Sequence, residues 1–315
     1  MNEPGAEPAS DAAGEPAIRT RGLTKRYGPD RGLFDLHLDV AAGEIFGCLG
    51  PNGAGKTTTI RLLMGLIRPG GGSAHIFGLD CQAQAVEVKR HVGYVPGELP
   101  EFGALRGREV IAYLGAMAGR VDPERVKDLS TRLQLDLAQP YRECSRGNKQ
   151  KLALILAFLH RPRLLVLDEP TGGLDPLNQR EFYAIVLEAR RDGATVFLSS
   201  HILSEVEHVC DRVGIIRAGR LVEVATLDAL HAIRSHRVEI EFAGPVPLQA
   251  LGAAEGVEDV AADGAHVRCL VRGSFEPLMR VLAAAKVTSL SSHEPSLEES
   301  FLQYYAAAGA ERGGA

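Results

Sequence analysis

The sequence predicts an α/β protein built on a mostly parallel sheet, with a smaller α+β domain after it. Three observations carry this. Apolar runs at 45–49, 164–167 and 195–199 have the unbroken character of strands buried on both faces, and helical stretches separate them. A glycine-rich loop joins the first run directly to a helix. Beyond about residue 230 the pattern changes to short alternating strands in the order β-α-β-β-α-β, that of a ferredoxin-like split motif.

Taken in order, residues 1–16 are Ala, Gly, Pro and Glu with little else and read as a disordered tail, so the first domain is expected over 17–230. Phe34, Leu36, Leu38 and Val40 alternate with Asp35, His37 and Asp39, the period of a half-solvated antiparallel strand. The buried run 45–49 follows. A helix is then expected over about 56–66, closed by Pro69 and by Gly70, Gly71 and Gly72. From 103 to 160 the periodicity is helical: Val110, Ile111, Tyr113, Leu114 and Met117, then Leu129 and Leu133, then 152–159. This reads as a helical insertion ahead of strands 164–167 and 195–199.

A second domain is expected over 231–308. Val238, Ile240 and Phe242 alternate with charges, 248–254 reads as a short helix, and 257–260 and 266–272 read as strands. Residues 275–285 form a helical pattern with Leu278, Met279 and Leu282 on one face, and 287–291 close the set. Ser296 and Glu299 have the spacing of a capping box that opens a last helix, and 309–315 read as a second tail.

Composition narrows the function classes. The 315 residues are 24% charged and 45% hydrophobic, ordinary globular values. A net charge of −5 argues against a nucleic-acid binder that relies on a basic surface, so no nucleic-acid partner is expected. The longest apolar run, 152–159, falls short of the roughly 20 residues that a spanning helix needs. Any membrane role must come through another chain. Cys48, Cys81, Cys144, Cys210 and Cys269 are scattered, odd in number and without a CxxC pair, which fits a reducing cytosol rather than a disulfide framework or zinc site. No basic segment leads into an apolar one at the N-terminus, so no secretory signal is expected and the protein is read as soluble and intracellular.

Gly50-Pro51-Asn52-Gly53-Ala54-Gly55-Lys56-Thr57 matches GxxxxGK[ST] between a buried strand and a helix, the setting that gives the pattern meaning. Glycines let successive backbone N–H groups turn inward around a triphosphate, and the helix N-terminus adds its positive dipole end. Lys56 is expected to reach the β/γ oxygens, Thr57 to ligate Mg²⁺, and Thr58 to add a hydroxyl. The run 164–167 ends in Asp168 and Glu169. Asp168 is expected to hold the metal through water, and Glu169 to face the γ-phosphate and polarise the attacking water.

The order of these motifs over about 17–230 resembles the ATPase subunit of an ABC transporter. That resemblance implies a P-loop ATPase core with an antiparallel β subdomain and a helical subdomain. Tyr27 matches the aromatic that stacks on adenine. Cys144-Ser145-Arg146-Gly147-Asn148 stands where the family has LSGGQ, Gly173-Leu174-Asp175 resembles the D-loop, and His201, after Ser199-Ser200, resembles the switch histidine. In the family two such domains pack head to tail around two ATP. Ser145 and the Gly147 N–H then meet the γ-phosphate from across the interface, His201 hydrogen-bonds it, and Asp175 bridges the subunits. The partners implied are a second copy and a separately encoded membrane permease, with the ATPase peripheral on the inner face of the cell membrane.

Two positions depart from the family pattern. The signature has Cys for Leu, Arg for the first Gly and Asn for Gln, and Arg146 is open to phosphate or to solvent. Where the family has a glutamine on Mg²⁺, this chain has Gly97 and then Glu98, which is either a shifted metal ligand or a loop acid. The C-terminal region, through 295–302, is similar to that of daunorubicin- and bacitracin-exporting ATPase subunits and implies drug or antibiotic export. It is equally readable as an accessory domain that stabilises a dimer. Two other readings stand beside export: a soluble ABC ATPase acting on ribosomes or DNA, and a weakly hydrolysing regulatory subunit.

Overall fold

The computed structural model describes residues 15–118, 121–227 and 235–293. Of the tail expected at 1–16, residues 1–14 lie outside them, as do the tail expected at 309–315 and the helix expected from Ser296. The chain divides into two compact units, Met1–Val224 and Ala225–Ala315.

The first unit holds two sheets. Strands β1 (Ile18–Arg26), β2 (Gly32–Val40), β4 (Gly71–Ile76) and β5 (Leu79–Asp80) form an antiparallel sheet in the order β2-β1-β4-β5. The alternation in β2 does what its period demands: Phe34, Leu36, Leu38 and Val40 are buried while Asp35, His37 and Asp39 face out. The larger sheet has the order β10-β9-β3-β8-β7-β6, from β3 (Ile45–Leu49), β6 (Val92–Val95), β7 (Leu164–Asp168), β8 (Thr195–Ser200), β9 (Arg212–Arg217) and β10 (Arg220–Thr226).

Strands β3, β6, β7, β8 and β9 pair in parallel. Every residue of β3, β7 and β8 is buried, which explains their unbroken apolar runs. Leu49 pairs with Ser200, and Asp168 with Ser199, so the carboxyl ends of three central strands open at one edge. In parallel α/β sheets that edge is where ligands bind.

Helix α1 (Lys56–Leu63) ends earlier than its apolar pattern suggests. Gly65 adopts a left-handed φ of 61°, and a Cβ there would lie 2.4 Å from the Cys81 carbonyl oxygen, so the chain must turn at that point. Leu66 is left half exposed. Helix α2 is Ala85–Arg90. The insertion comprises α3 (Gly107–Ala118), α4 (Pro123–Arg132), a 3-10 turn at Tyr141–Glu143 and α5 (Arg146–Phe158). On α3, Val110 and Ile111 are buried but Tyr113 and Met117 are exposed, so the buried stripe is narrower than the spacing of apolar residues indicates. Helices α6 (Pro176–Arg191) and α7 (Leu203–Val209) complete the unit. Arg132 joins α4 to α6: its Nε donates to Glu181 and its Nη1 and Nη2 to both oxygens of Glu188.

The second unit contains β11 (Ser235–Phe242), α8 (Leu248–Ala253), β12 (Val257–Asp263), β13 (His266–Arg272), α9 (Glu276–Ala283) and β14 (Val287–His293). All pairings are antiparallel, in the order β12-β13-β11-β14, which is the ferredoxin-like arrangement. Val238, Ile240, Phe242, Val267 and Val271 pack with Leu251, Leu278 and Leu282. Met279, expected on the same face, is 51% exposed: Leu278 and Leu282, one turn apart, are the buried positions of α9, with Val281 packed partly against the same core.

Candidate functional site

The open edge of the parallel sheet gathers three segments. First, the chain leaves β3 through Gly50, where a Cβ would lie 2.2 Å from the Ile216 carbonyl oxygen. Gly53 and Gly55 have φ of 80° and 116°, a backbone that glycine alone adopts freely. These turns curl the loop onto the N-terminus of α1, whose first turn carries no acidic side chain. Lys56 is 4% exposed, and its Nζ donates to Gly50 O at 2.6 Å and Pro51 O at 3.2 Å. The ammonium is therefore held across the loop. A cavity of about 410 Å³ lies in front of it, lined by Tyr27, Arg31, Gly32, Pro51 through Thr58, Arg61 and Glu169. Tyr27 is half exposed at the rim.

Second, β7 delivers Asp168 and Glu169. Asp168 is buried, and its Oδ1 accepts from Ser199 Oγ at 2.6 Å. The same hydroxyl accepts from the Glu169 N–H at 3.0 Å. Glu169 has a left-handed φ of 48°, which turns its side chain away from the strand direction. Its Oε1 lies 3.5 Å from Lys56 Nζ and 3.2 Å from His201 Nδ1. One carboxylate thus sits between an ammonium and an imidazole at the mouth of the phosphate loop. Asp168 Oδ2 is buried with no hydrogen-bond partner. Such an oxygen is costly to bury unless a ligand or cation answers it.

Gly97 lies against that oxygen: a Cβ there would be 2.8 Å from Asp168 Oδ2. The side chain of Glu98 is 90% exposed and meets Arg61 Nη2 at 3.5 Å. Burial pushes the Tyr94 phenol up to about 12, with Asp168 adding to the effect. Burial likewise pushes the Cys48 thiol up to about 12, so a reactive thiolate does not form beside the loop.

Third, Ser145, Gly147 and Asp175 form a separate group that does not line the cavity of the same chain. Ser145 caps α5, its Oγ accepting from Asn148 N at 3.2 Å. Gly147 touches the loop before α6, where a Cβ would come 2.5 Å from Gly173 O. Asp175 caps α6, accepting from Leu177 N, Asn178 N and Asn178 Nδ2 at 3.0, 3.0 and 2.6 Å. The Asn178 bonds, foremost its backbone N–H, hold the Asp175 carboxyl below the usual carboxylate range. So one chain brings together Lys56, Thr57, Asp168, Glu169 and His201, with Tyr27 at the rim, and holds Ser145, Gly147 and Asp175 apart from them.

Three supporting residues are absent from the sequence reading of the site. Ser199 aligns both carboxylate residues, and its only signal is a hydroxyl at the tip of an apolar strand. Glu205 accepts from Thr171 Oγ1 and Ser200 Oγ, tying the segment after β7 to the end of β8. Gln150, on α5 and 6% exposed, donates to Pro170 O at 2.9 Å. The last two depend on contacts between distant segments and leave no local pattern.

A family model described as ABC transporter matches residues 33–172. The bacitracin transport ATP-binding protein BcrA of Bacillus licheniformis is 40% identical over 229 residues, 71% of this chain and 74% of that protein. The uncharacterized ABC transporter ATP-binding protein YdbJ of Bacillus subtilis is 34% identical over 298 residues, 92% of this chain and 95% of that one. The probable multidrug ABC transporter ATP-binding protein YbhF of Escherichia coli is 35% identical over 224 residues, and the match spans 39% of its length. Among solved structures, an ATP binding subunit of an ABC transporter superposes with a TM-score of 0.63 at 31% identity, covering 68% of this chain and 92% of that one.

Proposed function

The chain belongs to the ATP-binding subunits of ABC transporters, and from that premise we propose that two copies bind and hydrolyse two ATP to power export through a separately encoded membrane permease. The observation that carries the reading is the placement of Glu169 Oε1 between Lys56 Nζ and His201 Nδ1 at the phosphate loop.

In this reading Tyr27 stacks on adenine and the N–H groups of the Gly50–Thr57 loop enclose the phosphates. Lys56 neutralises the β/γ oxygens, and Thr58 adds its hydroxyl. Glu169 orients a water and takes its proton as that water attacks the γ-phosphorus. His201, steadied by Glu169, donates a hydrogen bond to the γ-phosphate. The donor set fits a divalent cation: Asp168 Oδ2 is buried and unpartnered, and Thr57 supplies a hydroxyl next to Lys56. Asp168 and Thr57 would hold Mg²⁺, which supplies charge neutralisation at the phosphates, with Glu98 a further candidate ligand. Ser145 and the Gly147 N–H reach the γ-phosphate of the other copy, and Asp175 bridges the two. Closure thereby completes each site, which couples hydrolysis to dimerisation.

An apolar groove of about 450 Å³, lined by Leu66, Tyr94, Pro96, Leu99, Phe102, Leu114 and Leu156, is the surface we assign to a helix of the permease. No helix among the described residues is long and apolar enough to cross a membrane. The ATPase would then act from the inner face of the cell membrane. The bacitracin and multidrug relatives support a drug, antibiotic or other amphipathic cargo. The test is direct. Purified protein should hydrolyse Mg-ATP, and Glu169→Gln should bind ATP, stop turning over and accumulate as a dimer. A Glu169→Gln variant with wild-type turnover refutes the assignment.

A further inference from the structure

We propose that Glu205 is a positioning residue for hydrolysis: its carboxylate, bonded to Thr171 and to Ser200, sets the spacing between the turn that carries Glu169 and the turn that carries His201. The inference rests on the roles given above to those two residues and extends them to an acid that does not line the nucleotide cavity.

Glu205 lies in the first turn of α7. Its Oε1 accepts from Thr171 Oγ1 and its Oε2 from Ser200 Oγ, each at 2.5 Å. Thr171 and Ser200 are 5% and 1% exposed, so water does not take the place of the carboxylate at either hydroxyl. Both carboxylate oxygens are thus spent on hydroxyls from two separate strand ends, β7 and β8.

Each hydroxyl belongs to a segment that bears a site residue. Glu169 O accepts from Gly172 N at 3.1 Å, closing the turn that contains Thr171. Ser200 Oγ also accepts from Ile202 N at 2.9 Å, which brackets His201 between two bonded neighbours. Ser200 O in turn accepts from Gly50 N at 3.3 Å, at the start of the phosphate loop. On the nucleotide side the same two segments meet through Glu169 Oε1 and His201 Nδ1 at 3.2 Å, an exposed contact. They are therefore joined twice. The exposed contact gives way when water and a γ-phosphate enter between the two side chains, whereas the Glu205 contact faces away from the cavity and keeps the spacing.

In the reaction the water oxygen bonds to the γ-phosphorus while the bond from that phosphorus to the β–γ bridging oxygen breaks. ADP leaves with the electron pair, and the water proton passes to Glu169. Glu205 forms and breaks no bond. It acts by holding His201 and Glu169 at the separation in which both serve one phosphoryl group, and small losses of such alignment cost large factors in rate.

The test uses the full chain and single-turnover ATP hydrolysis at enzyme excess, which reads slow variants. Glu205→Ala should lower the rate constant about tenfold while the KM for ATP stays within about twofold. Glu205→Gln, which keeps an acceptor for Thr171 and offers Ser200 a donor, should recover most of the rate. In a His201→Ala background, Glu205→Ala should cost less than about a further twofold, because the residue it positions is already gone. The proposal is overturned if Glu205→Ala stays within about twofold of wild type, or if it costs the same factor in both backgrounds. Should Glu205→Ala not fold, Thr171→Val decides: it keeps the side-chain shape and removes one arm, and a rate within about twofold of wild type overturns the proposal. Wild-type hydrolysis by His201→Ala instead removes the role given to His201, whereas a slow His201→Ala beside an unimpaired Glu205→Ala removes this proposal alone.

Discussion

Replacing Ser199 by alanine deletes one hydroxyl that serves two residues of the site. It donates to Asp168 Oδ1 at 2.6 Å and accepts from Glu169 N at 3.0 Å. Ser199 is fully buried and Asp168 is 1% exposed, so water does not take over either bond. A hydrogen bond to a charged group contributes about 1.5–3 kcal/mol and a neutral one about 0.5–1.5 kcal/mol. Non-additivity and local relaxation trim the sum, which gives an expected loss of about 2–4 kcal/mol in unfolding free energy. The assay is urea unfolding followed by circular dichroism, read from the midpoint at unchanged m-value. Because the Glu169 N–H loses its anchor, the left-handed turn at that residue loosens, and ATP turnover should fall about tenfold, or about 1.4 kcal/mol in the barrier. A double-mutant cycle with Asp168→Asn should show coupling of about 1–2 kcal/mol. Ser199→Ala within about 0.5 kcal/mol of wild type would refute the reasoning, since surface substitutions alone produce changes that small.

Gly97→Gln, which installs the family's residue, should lower rather than raise turnover, because its Cβ would come 2.8 Å from Asp168 Oδ2 and displace that carboxylate at an overpacking cost of about 1–3 kcal/mol. A gain in ATPase rate would count against this. Tyr27→Ala should raise the KM for ATP about tenfold with little change in kcat, the effect of losing one base-stacking platform worth about 1–3 kcal/mol. An unchanged KM removes Tyr27 from the site. Arg132→Ala should cost about 1–2 kcal/mol at neutral pH once the partial exposure of Glu188 is discounted. Arg132 holds the Glu188 carboxyl below its ordinary 4.5, so this stabilisation is present above that pH and is lost as pH falls through the depressed folded value. Melting temperatures of wild type and variant should therefore converge in acid, and a pH-independent difference would contradict the ion-pair account.

How much was legible depended on whether the signal was local. The strands β3, β7 and β8 announce themselves because burial on both faces leaves nothing but apolar residues in them. The phosphate loop and the Asp168-Glu169 pair are read from contiguous residues. Strand β1 escaped because only Ile18, Thr20 and Leu23 point inward and the rest is largely basic, while β4 opens on two glycines that carry no pattern. Strand β6 is four residues long and contains Gly93, too short for periodicity to register. Tyr113, Met117 and Met279 fell on the wrong side because apolar spacing on a helix does not fix where the stripe ends. The bonds of Gln150 to Pro170, Ser199 to Glu169 and Glu205 to Thr171 reach across 20 to 34 residues, a separation from which no sequence motif can be read.

The contact between Gly147 and the Gly173 carbonyl leaves no slack between the start of α5 and the turn that leads into α6. The two segments mesh there like teeth, with Asp175 two residues beyond the point of contact. A single methyl group wedged at position 147 would come 2.5 Å from that carbonyl oxygen and pry the two segments apart.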